Sequence, residues 1–157
     1  MLICAGFLAG YMESHKLSVR VEKLEAFLQF LSAAKAEIRY SSIPVWSVVE
    51  KHGKNLSFLE LCSEKRSQGI GWQEAWESSV RESARSECFS KSDLDLLHGF
   101  GEGFGTSDTE GQLAHFSLYA GLTADALENA KQDRSRKSRL YLMLGSFSGI
   151  LATLLLC

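Results

Sequence analysis

A run of alternating glycines is the first place in this sequence to look for chemistry. Gly99, Gly101, Gly103 and Gly105 stand at every second position, and glycine-rich loops bind phosphate groups when a strand leads into them and a helix follows. No strand is predicted before this run, no Lys-Ser/Thr pair follows it, and the spacing differs from G-x-G-x-x-G. The sequence therefore favours a simpler role, in which the glycines end one helix and turn the chain into the next.

Histidine and cysteine side chains, which serve as metal ligands and nucleophiles, are dispersed along the chain. No C-x-x-C pair and no zinc-finger spacing is present. No histidine stands at a spacing from a serine, a cysteine or a carboxylate that indicates a catalytic relay. The residues concerned are His15, His52, His98, His115, Cys4, Cys62, Cys88 and Cys157. We therefore expect no metal, no cofactor and no enzymatic activity.

Positive charge is concentrated in one short segment. Residues 131–139 contain five basic residues and one acidic residue, a net of +4, so the rest of the chain carries −6 of the total of −2. An acidic domain without a basic stripe is a poor partner for nucleic acid, because phosphate binding needs clustered Lys and Arg. The single proline and the lack of a Gly/Ser/Pro linker also predict one domain.

The C-terminal residues 140–157 predict a transmembrane helix. They contain no charged residue, and a helix of this length spans about 27 Å, close to the ~30 Å hydrocarbon thickness of a bilayer. A buried core helix is the alternative, but only Ser146, Ser148 and Thr153 interrupt the apolar sequence. Basic residues collect at the cytoplasmic ends of membrane helices, so the preceding basic collar predicts that the domain before it faces the cytoplasm. The basic collar consists of Lys131, Arg134, Arg136, Lys137 and Arg139.

The N-terminal residues 1–12 form a second apolar segment, which is too short to cross a bilayer by itself. As a helix it would span about 16 Å. A cleavable signal peptide is disfavoured, because no basic residue precedes the apolar run and no A-x-A site follows it. Two interpretations remain: a first membrane helix that is truncated at its start, which we favour, or a segment that inserts shallowly. Glycines four apart let membrane helices approach closely. We hypothesise that the two segments pack together through Gly6, Gly10, Gly145 and Gly149.

Residues 13–139 between these segments predict a cytosolic bundle of helices. Apolar residues recur at steps of three and four from Leu17 to Ile38 and predict a long first helix. This helix packs within the bundle or, as an alternative, forms a coiled coil with a second chain. The helix ends after Tyr40, because the residue before Pro44 avoids the α region and proline suits the first turn of a new helix.

Later helices are marked by capping sequences, in which a serine precedes an acidic residue by three positions. Trp72 and Trp76 lie one turn apart on an amphipathic face and predict core or inter-helix anchors, with a partner-binding patch as the alternative. The capping sequences are Ser57 with Glu60, Ser90 with Asp93, and Ser107 with Glu110. We therefore predict an all-α protein, with a cytosolic bundle of about six helices, a C-terminal transmembrane helix and a short N-terminal membrane segment.

Three motifs, taken in order, resemble those of the stage III sporulation protein AB family. The basic collar and the C-terminal apolar helix complete the resemblance, which covers nearly the whole chain. The short N-terminal segment departs from it, because a longer membrane helix is expected there. The motifs are Glu37-Ile-Arg-Tyr40-Ser-Ser-Ile-Pro44, then Gly71-Trp72-Gln-Glu-Ala-Trp76, then Phe100-Gly101 followed by Gly105, Asp108, Gly111 and Gln112.

That family is similar to the cytoplasmic helical domain of the F-type platform proteins of type II secretion. The resemblance implies a membrane-anchored structural component of the secretion-like channel between mother cell and forespore, located in the mother-cell membrane around the forespore. The partners it implies are the lipid bilayer and the other stage III sporulation A complex proteins, including their secretion-type ATPase; a homo-oligomer is also open. A membrane-tethered helical adaptor or signalling module unrelated to secretion is the alternative, and it would need a sensor beyond the membrane.

The resemblance carries over residue roles only in a structural sense. Glu37 is expected near the end of the first long helix, where it bonds the backbone of the turn before Pro44 or is a solvated helix charge. Asp108 is expected to cap the last helix, because an acid there faces the positive end of the helix dipole; contact with a partner is its second role. Gln112 lies one turn further on.

Overall fold

The computed structural model describes the backbone of residues 2–40 and 45–155 and the side chains of residues 12–40 and 46–137. Within these residues all regular secondary structure is α-helical, because apolar residues recur at helical spacing and glycines fall between the periodic segments. The six helices are α1 Leu2–Tyr40, α2 Val45–His52, α3 Ser57–Ser67, α4 Trp72–Ser83, α5 Lys91–Gly103 and α6 Thr109–Leu155. The predicted fold class of an all-α protein with six helices is confirmed.

The two predicted membrane segments fall almost wholly outside the residues whose side chains are described. Over the described part of the chain, no helix is both long and apolar enough to span a bilayer. The side chains of residues 1–11 and 140–157 are not among those described. The same is true of Gly6, Gly10, Gly145, Gly149 and the last residue of the basic collar, Arg139.

The first helix is longer than the sequence pattern predicts. We expected a separate N-terminal segment followed by a helix from Leu17, but α1 runs without a break from Leu2 to Tyr40. No glycine or proline occurs between Gly10 and Pro44, so nothing in the backbone interrupts the helix once it has begun. The two predicted units are therefore one element.

Helices α1 and α6 form an antiparallel pair that runs the length of the domain. Glu25 on α1 pairs with Lys131 on α6 at 2.7 Å, and Glu13 pairs with Lys137 at 3.5 Å. A small apolar cluster lies beside these ion pairs and contains Val21, Leu24, Leu127 and Ala130. We call this half of the pair, residues 12–25 of α1 and 127–137 of α6, the charged shaft.

A larger apolar cluster, which we call the aromatic core, joins the other half of the pair to helices α2 to α5. Phe27 of α1 meets Phe100 of α5 edge-on with ring centroids 5.6 Å apart, and Phe58 of α3 meets Trp76 of α4 at 5.4 Å. All four rings are fully buried. Edge-to-face pairs of this kind add to the stability that comes from burying the ring area, so the aromatic core holds the short helices against α1 and α6.

The helix starts agree only in part with the predicted capping sequences. The Ser90 capping box is confirmed, because the Ser90 hydroxyl accepts from the Asp93 amide at 3.2 Å and the Asp93 carboxylate accepts from the Ser90 amide at 2.8 Å. The Ser57 box is wrong. Leu56 occupies the cap position of α3 without a side-chain bond, and the Ser57 amide donates to the distant carboxylate of Glu87 at 2.6 Å.

Candidate functional site

The motif residues on α4 and α5 meet where the two helices touch inside the aromatic core. The Trp76 indole N–H donates to the carbonyl of Leu97 at 2.8 Å, and its ring lies directly against Gly101. A β-carbon at position 101 would overlap the Trp76 ring. Gly101 is therefore required because the tryptophan occupies the space of a side chain.

This contact corrects the role predicted for the glycine run. Gly99 and Gly101 lie inside α5, whereas Gly103 is its last residue and ends it as predicted. A β-carbon at Gly99 would meet the Tyr119 hydroxyl, and one at Gly103 would meet the His115 ring. The sequence shows the spacing of the glycines but not the rings that pack against them, so the spacing alone predicts a helix break. Only Gly105 turns the chain, with a φ of +76° that favours glycine.

Gln112 holds the turn between α5 and α6 together. Its side-chain oxygen accepts from the Gly105 amide at 3.0 Å, and its side-chain nitrogen donates to the Gly103 carbonyl at 3.1 Å and to the Ser107 hydroxyl at 3.0 Å. The residue is 2% exposed. A buried amide is stable only when its hydrogen bonds are made, and here they are made to the connecting loop itself.

Asp108 occupies the N-cap of α6. Its carboxylate accepts from the Gly111 amide at 2.9 Å, and its carbonyl accepts from the Gln112 amide at 2.8 Å. The predicted Ser107 box is therefore displaced by one residue: α6 begins at Thr109, and the Ser107 hydroxyl serves Gln112 instead. Both Asp108 and Gln112 thus fix the start of α6.

Trp72 extends the aromatic contacts towards the surface. It is half-buried, stacks on Phe104 with centroids 4.5 Å apart and lies 5.4 Å from Trp76. Both tryptophans therefore act as inter-helix anchors, in keeping with the first of the two roles that the sequence left open. Phe104 itself is 4% exposed, so the indole of Trp72 covers one edge of the core.

Glu37 joins α1 to α2 at the same end of the domain. Its carboxylate accepts from Lys51 Nζ at 2.9 Å and from His52 Nε2 at 3.0 Å. These bonds, first His52 and then Lys51, hold the pKa of Glu37 below its usual range. These contacts to α2 differ from the predicted solvated charge. The turn before Pro44, to which the other predicted bond would be made, lies outside the described residues. Tyr40 is 83% exposed, and Pro44 lies outside the described residues.

A buried ion pair that the sequence did not indicate connects α1 to α5. Arg20 donates from Nε and Nη2 to the two carboxylate oxygens of Asp93 at 2.7 and 3.0 Å, and its Nη1 lies 3.7 Å from Asp133. The hydrogen bond to Asp93 raises the pKa of Arg20 above its ordinary value. The sequence predicts Asp93 only as part of a helix cap, because its partner lies 73 positions away and no local pattern joins the two.

The described members of the basic collar divide between the bundle and the solvent. Lys131 and Lys137 pair with Glu25 and Glu13 of α1. Arg134 and Arg136 are exposed. The collar therefore contributes to the charged shaft as well as presenting positive charge near the predicted membrane boundary.

The described residues contain no cluster of candidate metal ligands. No three His, Cys, Asp or Glu side chains among them converge as metal ligands do. Burial raises the pKa of Cys62 to about 11, so its thiol stays protonated at neutral pH. His115 stacks on Phe100 and donates to the Phe100 carbonyl at 2.9 Å. The motif residues accordingly define where helices begin, turn and touch.

These features define a class: a small helical-bundle domain built on a long antiparallel helix pair. The sequence pattern of the Stage III sporulation protein AB family matches residues 1–157, and the chain belongs to that family. Stage III sporulation protein AB of Bacillus subtilis (strain 168) is 27% identical over 143 residues, which cover 87% of this chain and 82% of that one.

A solved structure shares the fold. The structure of Stage III sporulation protein AB (SpoIIIAB) superposes with a TM-score of 0.66 at 22% identity and covers 75% of this chain and 98% of its own. The family membership confirms the resemblance drawn from the three motifs and identifies the chain as a stage III sporulation protein.

Proposed function

We propose that this protein is a membrane-anchored assembly component of a secretion-like channel between mother cell and forespore. In this proposal the α-helical domain faces the mother-cell cytoplasm and docks other stage III sporulation A complex proteins, among them the secretion-type ATPase. Residues 140–157 cross the membrane around the forespore, and residues 1–12 enter it beside them. The role is structural, and no catalytic step is assigned to the chain.

The antiparallel order of α1 and α6 carries the proposal. Glu13 pairs with Lys137, so the apolar residues that precede Glu13 and those that follow Arg139 extend from the same end of the helix pair. Two apolar segments that leave a domain side by side suit a shared membrane better than two unrelated tails. The exposed Arg134 and Arg136 lie at this end, where the positive-inside rule expects cytoplasmic charge.

The organisation of the domain also supports a scaffold. The motif residues Trp76, Gly101, Asp108 and Gln112 are committed to packing and to helix ends. Within the described residues the ionisable side chains are spread over helix faces or tied into ion pairs. A domain of this kind offers rigid surfaces to partners.

Fractionation of sporulating cells tests the anchor. We expect the full-length chain to sediment with membranes and to resist extraction by high salt, since the anchor is apolar. In sealed protoplasts, protease added outside should leave the domain intact and should digest it after lysis. Recovery of the chain in the supernatant, or digestion of the domain before lysis, would contradict the proposal.

Charge reversal tests the orientation. Replacing Arg134, Arg136 and Lys137 by Glu is expected to lower correct insertion, because the flanking positive charge sets the orientation of a membrane helix. The matched control reverses exposed basic residues elsewhere, Lys54, Arg66 and Arg81, and should insert as the wild type does. If both variants insert equally well, the basic collar does not set the orientation of the membrane helix.

A further inference from the structure

A groove of about 580 Å³ opens on the outer face of the bundle, between α5 and α6. Leu96, Leu122 and Ala126 give it an apolar lining, and Asp125, Asn129 and Asp133 follow one edge. This groove belongs to none of the motif contacts described above.

An apolar stripe of α6 leads into the groove. Leu118 is 58% exposed and Leu122 is 43% exposed, and they lie one turn apart on the same helix face. Together with Asp125 and Asn129 they form a row at steps of four, three and four residues. Two exposed leucines in one row suit the binding of an amphipathic helix, because the apolar side chains of such a helix recur at the same intervals.

Acidic residues predominate on α5 and α6 beside the groove. Residues 92–130 include seven Asp and Glu residues and no Lys or Arg. Asp93 is buried and paired, but Asp95, Asp125 and Glu128 are exposed. The surface that surrounds the leucines therefore attracts a positively charged segment and repels anionic lipid headgroups.

Two nearby basic side chains, on α1 and α6, are held in ion pairs. Arg20 lines its floor, but its guanidinium is bonded to Asp93 and lies 3.7 Å from Asp133. Lys131 is paired with Glu25. Lys91 precedes the acidic stretch, at the start of α5, and is exposed. Neither Arg20 nor Lys131 is free to neutralise Asp125.

We propose that this groove binds the basic juxtamembrane helix of another membrane protein, with aliphatic side chains of that helix seated on Leu118 and Leu122. The inference rests on the proposed function, because the position of the groove matters only if residues 140–157 enter the membrane. Measured along α6, Asp133 would lie about 10 Å and Leu122 about 27 Å from the start of that segment.

The distance of the groove from the proposed membrane favours this occupant. Lys and Arg are concentrated in the cytoplasmic residues next to membrane helices. In a neighbouring membrane protein, those residues would lie at the same distance from the membrane as the groove does. The acidic rim of the groove and a basic segment are complementary in charge. Such complementarity contributes more to the association rate and the register of two partners than to their affinity. The two leucines supply the apolar contact.

The binding test uses the full chain in phosphatidylcholine nanodiscs and a fluorescent synthetic helix that is leucine on one face and lysine elsewhere. The same helix with glutamate in place of lysine is the charge control, and empty discs give the blank. We expect the lysine helix to bind and the glutamate helix to bind at least about tenfold more weakly. Equal binding of the two helices overturns the proposal.

Variants locate the binding. Leu118→Asn with Leu122→Asn is expected to weaken binding of the lysine helix by about tenfold or more, since apolar anchors dominate interface energy. Asp95→Asn with Asp125→Asn should weaken it by about threefold, as exposed charges contribute less. All four positions are half-buried or exposed, so these variants are expected to fold.

The matched control is Glu60→Gln with Glu74→Gln, which removes the same charge from exposed positions on α3 and α4. Its affinity for the lysine helix should equal that of the wild type. If it weakens binding as much as the α5 and α6 variant does, the helix responds only to net charge and the proposal is overturned. A fall in the particle mass of the asparagine variants would also overturn it, because the face would then join two copies of this chain.

Complementation of a deletion strain separates this proposal from the proposed function. If the Leu118 and Leu122 variant stays in the membrane but fails to restore sporulation, and a photo-crosslinker at position 118 reaches a basic juxtamembrane segment, the groove is supported. Normal sporulation by that variant contradicts the groove alone. Normal sporulation without the chain, or loss of the wild-type chain from membranes, contradicts the proposed function.

Discussion

The aromatic core and the charged shaft are parts of one helix pair that are stabilised in different ways. In the aromatic core, Phe27, Phe58, Trp76 and Phe100 are fully buried and meet ring to ring. In the charged shaft, a small apolar cluster is accompanied by ion pairs such as Glu25 with Lys131, whose side chains are 44% and 43% exposed.

This difference predicts that the two regions respond to different conditions. Burial of rings depends on apolar area and is not screened by salt, whereas exposed ion pairs contribute at most about 1 kcal/mol each and are screened as ionic strength rises. The aromatic core should therefore set the stability of the fold. The charged shaft should set how firmly the two long helices are joined near the predicted membrane end.

The largest expected effect is that of Trp76→Ala. Removing a fully buried indole should lower the free energy of unfolding by about 4 kcal/mol, because it leaves a cavity and breaks the bond to Leu97. Chemical denaturation of the full chain in mild detergent measures this. Trp46→Ala, at a residue that is 45% exposed, is the control and should cost less than about 1 kcal/mol. Similar losses for the two variants would mean that the aromatic core is not the main source of stability.

Arg20→Met tests the most deeply buried charge pair among the described residues. It strands the carboxylate of Asp93, whose side chain is 0% exposed, and should cost about 3 kcal/mol. Arg20→Met with Asp93→Asn removes both charges while leaving a side chain that can still cap α5, so it should be less damaging than the single change. If the double variant is the less stable one, the pair owes its effect to packing and not to charge.

Asp108→Ala removes the cap of α6. The expected loss is about 1 kcal/mol, the usual value for an N-cap, and should be larger than any loss of affinity for a partner measured with the same protein. Thermal unfolding by circular dichroism measures the first quantity. Glu110→Ala, in the first turn of α6, is the control. A greater effect on partner binding than on unfolding would show that Asp108 acts mainly through contact with a partner.

Lys131→Gln tests the screening of the charged shaft. It should cost roughly 0.5 kcal/mol at low salt, and about 1 M salt should abolish the difference from the wild type. Lys91→Gln, at another exposed lysine, should have no such salt-dependent effect. A loss that persists at high salt would show that Lys131 acts through the packing of its aliphatic stem.

The smallest effect concerns the pH response of Glu37. Because the folded pKa of this carboxyl is lowered by His52 and Lys51, its contribution to stability is present above the unfolded pKa and disappears as the pH falls through the folded value. Glu37→Gln should therefore make the stability less dependent on pH in the acid range and leave the difference constant near neutrality. Unfolding curves of both proteins from neutral to acid pH measure this. Parallel curves would exclude Glu37 as a source of acid sensitivity.

The sequence predicted those parts of the molecule that depend on neighbouring residues. The helical periods, the Ser90 cap and the anchoring tryptophans are local patterns, and the structure shows each of them. The ion pair of Arg20 with Asp93 and the bond of Ser57 to Glu87 join residues 73 and 30 positions apart. Nothing local distinguishes those side chains from solvated ones, so they could not be predicted.

The glycine run also shows that contacts between distant residues cannot be predicted from a local pattern. Its composition is typical of a flexible turn, and only the rings of Trp76, Tyr119 and His115 reveal why a helix tolerates it. Recognition of the family did not depend on this detail, because it used the order of the motifs. The membrane segments stay predictions, since they lie beyond the side chains that the structure describes.

The continuity of α6 has a mechanical consequence. Its 47 residues form one helix that is about 70 Å long. The loop around Asp108 and the basic collar are therefore joined by a single unbroken helix. A displacement of the loop would therefore be passed along this one helix to the collar. The two ends of the helix pair would then move together without any helix having to unfold.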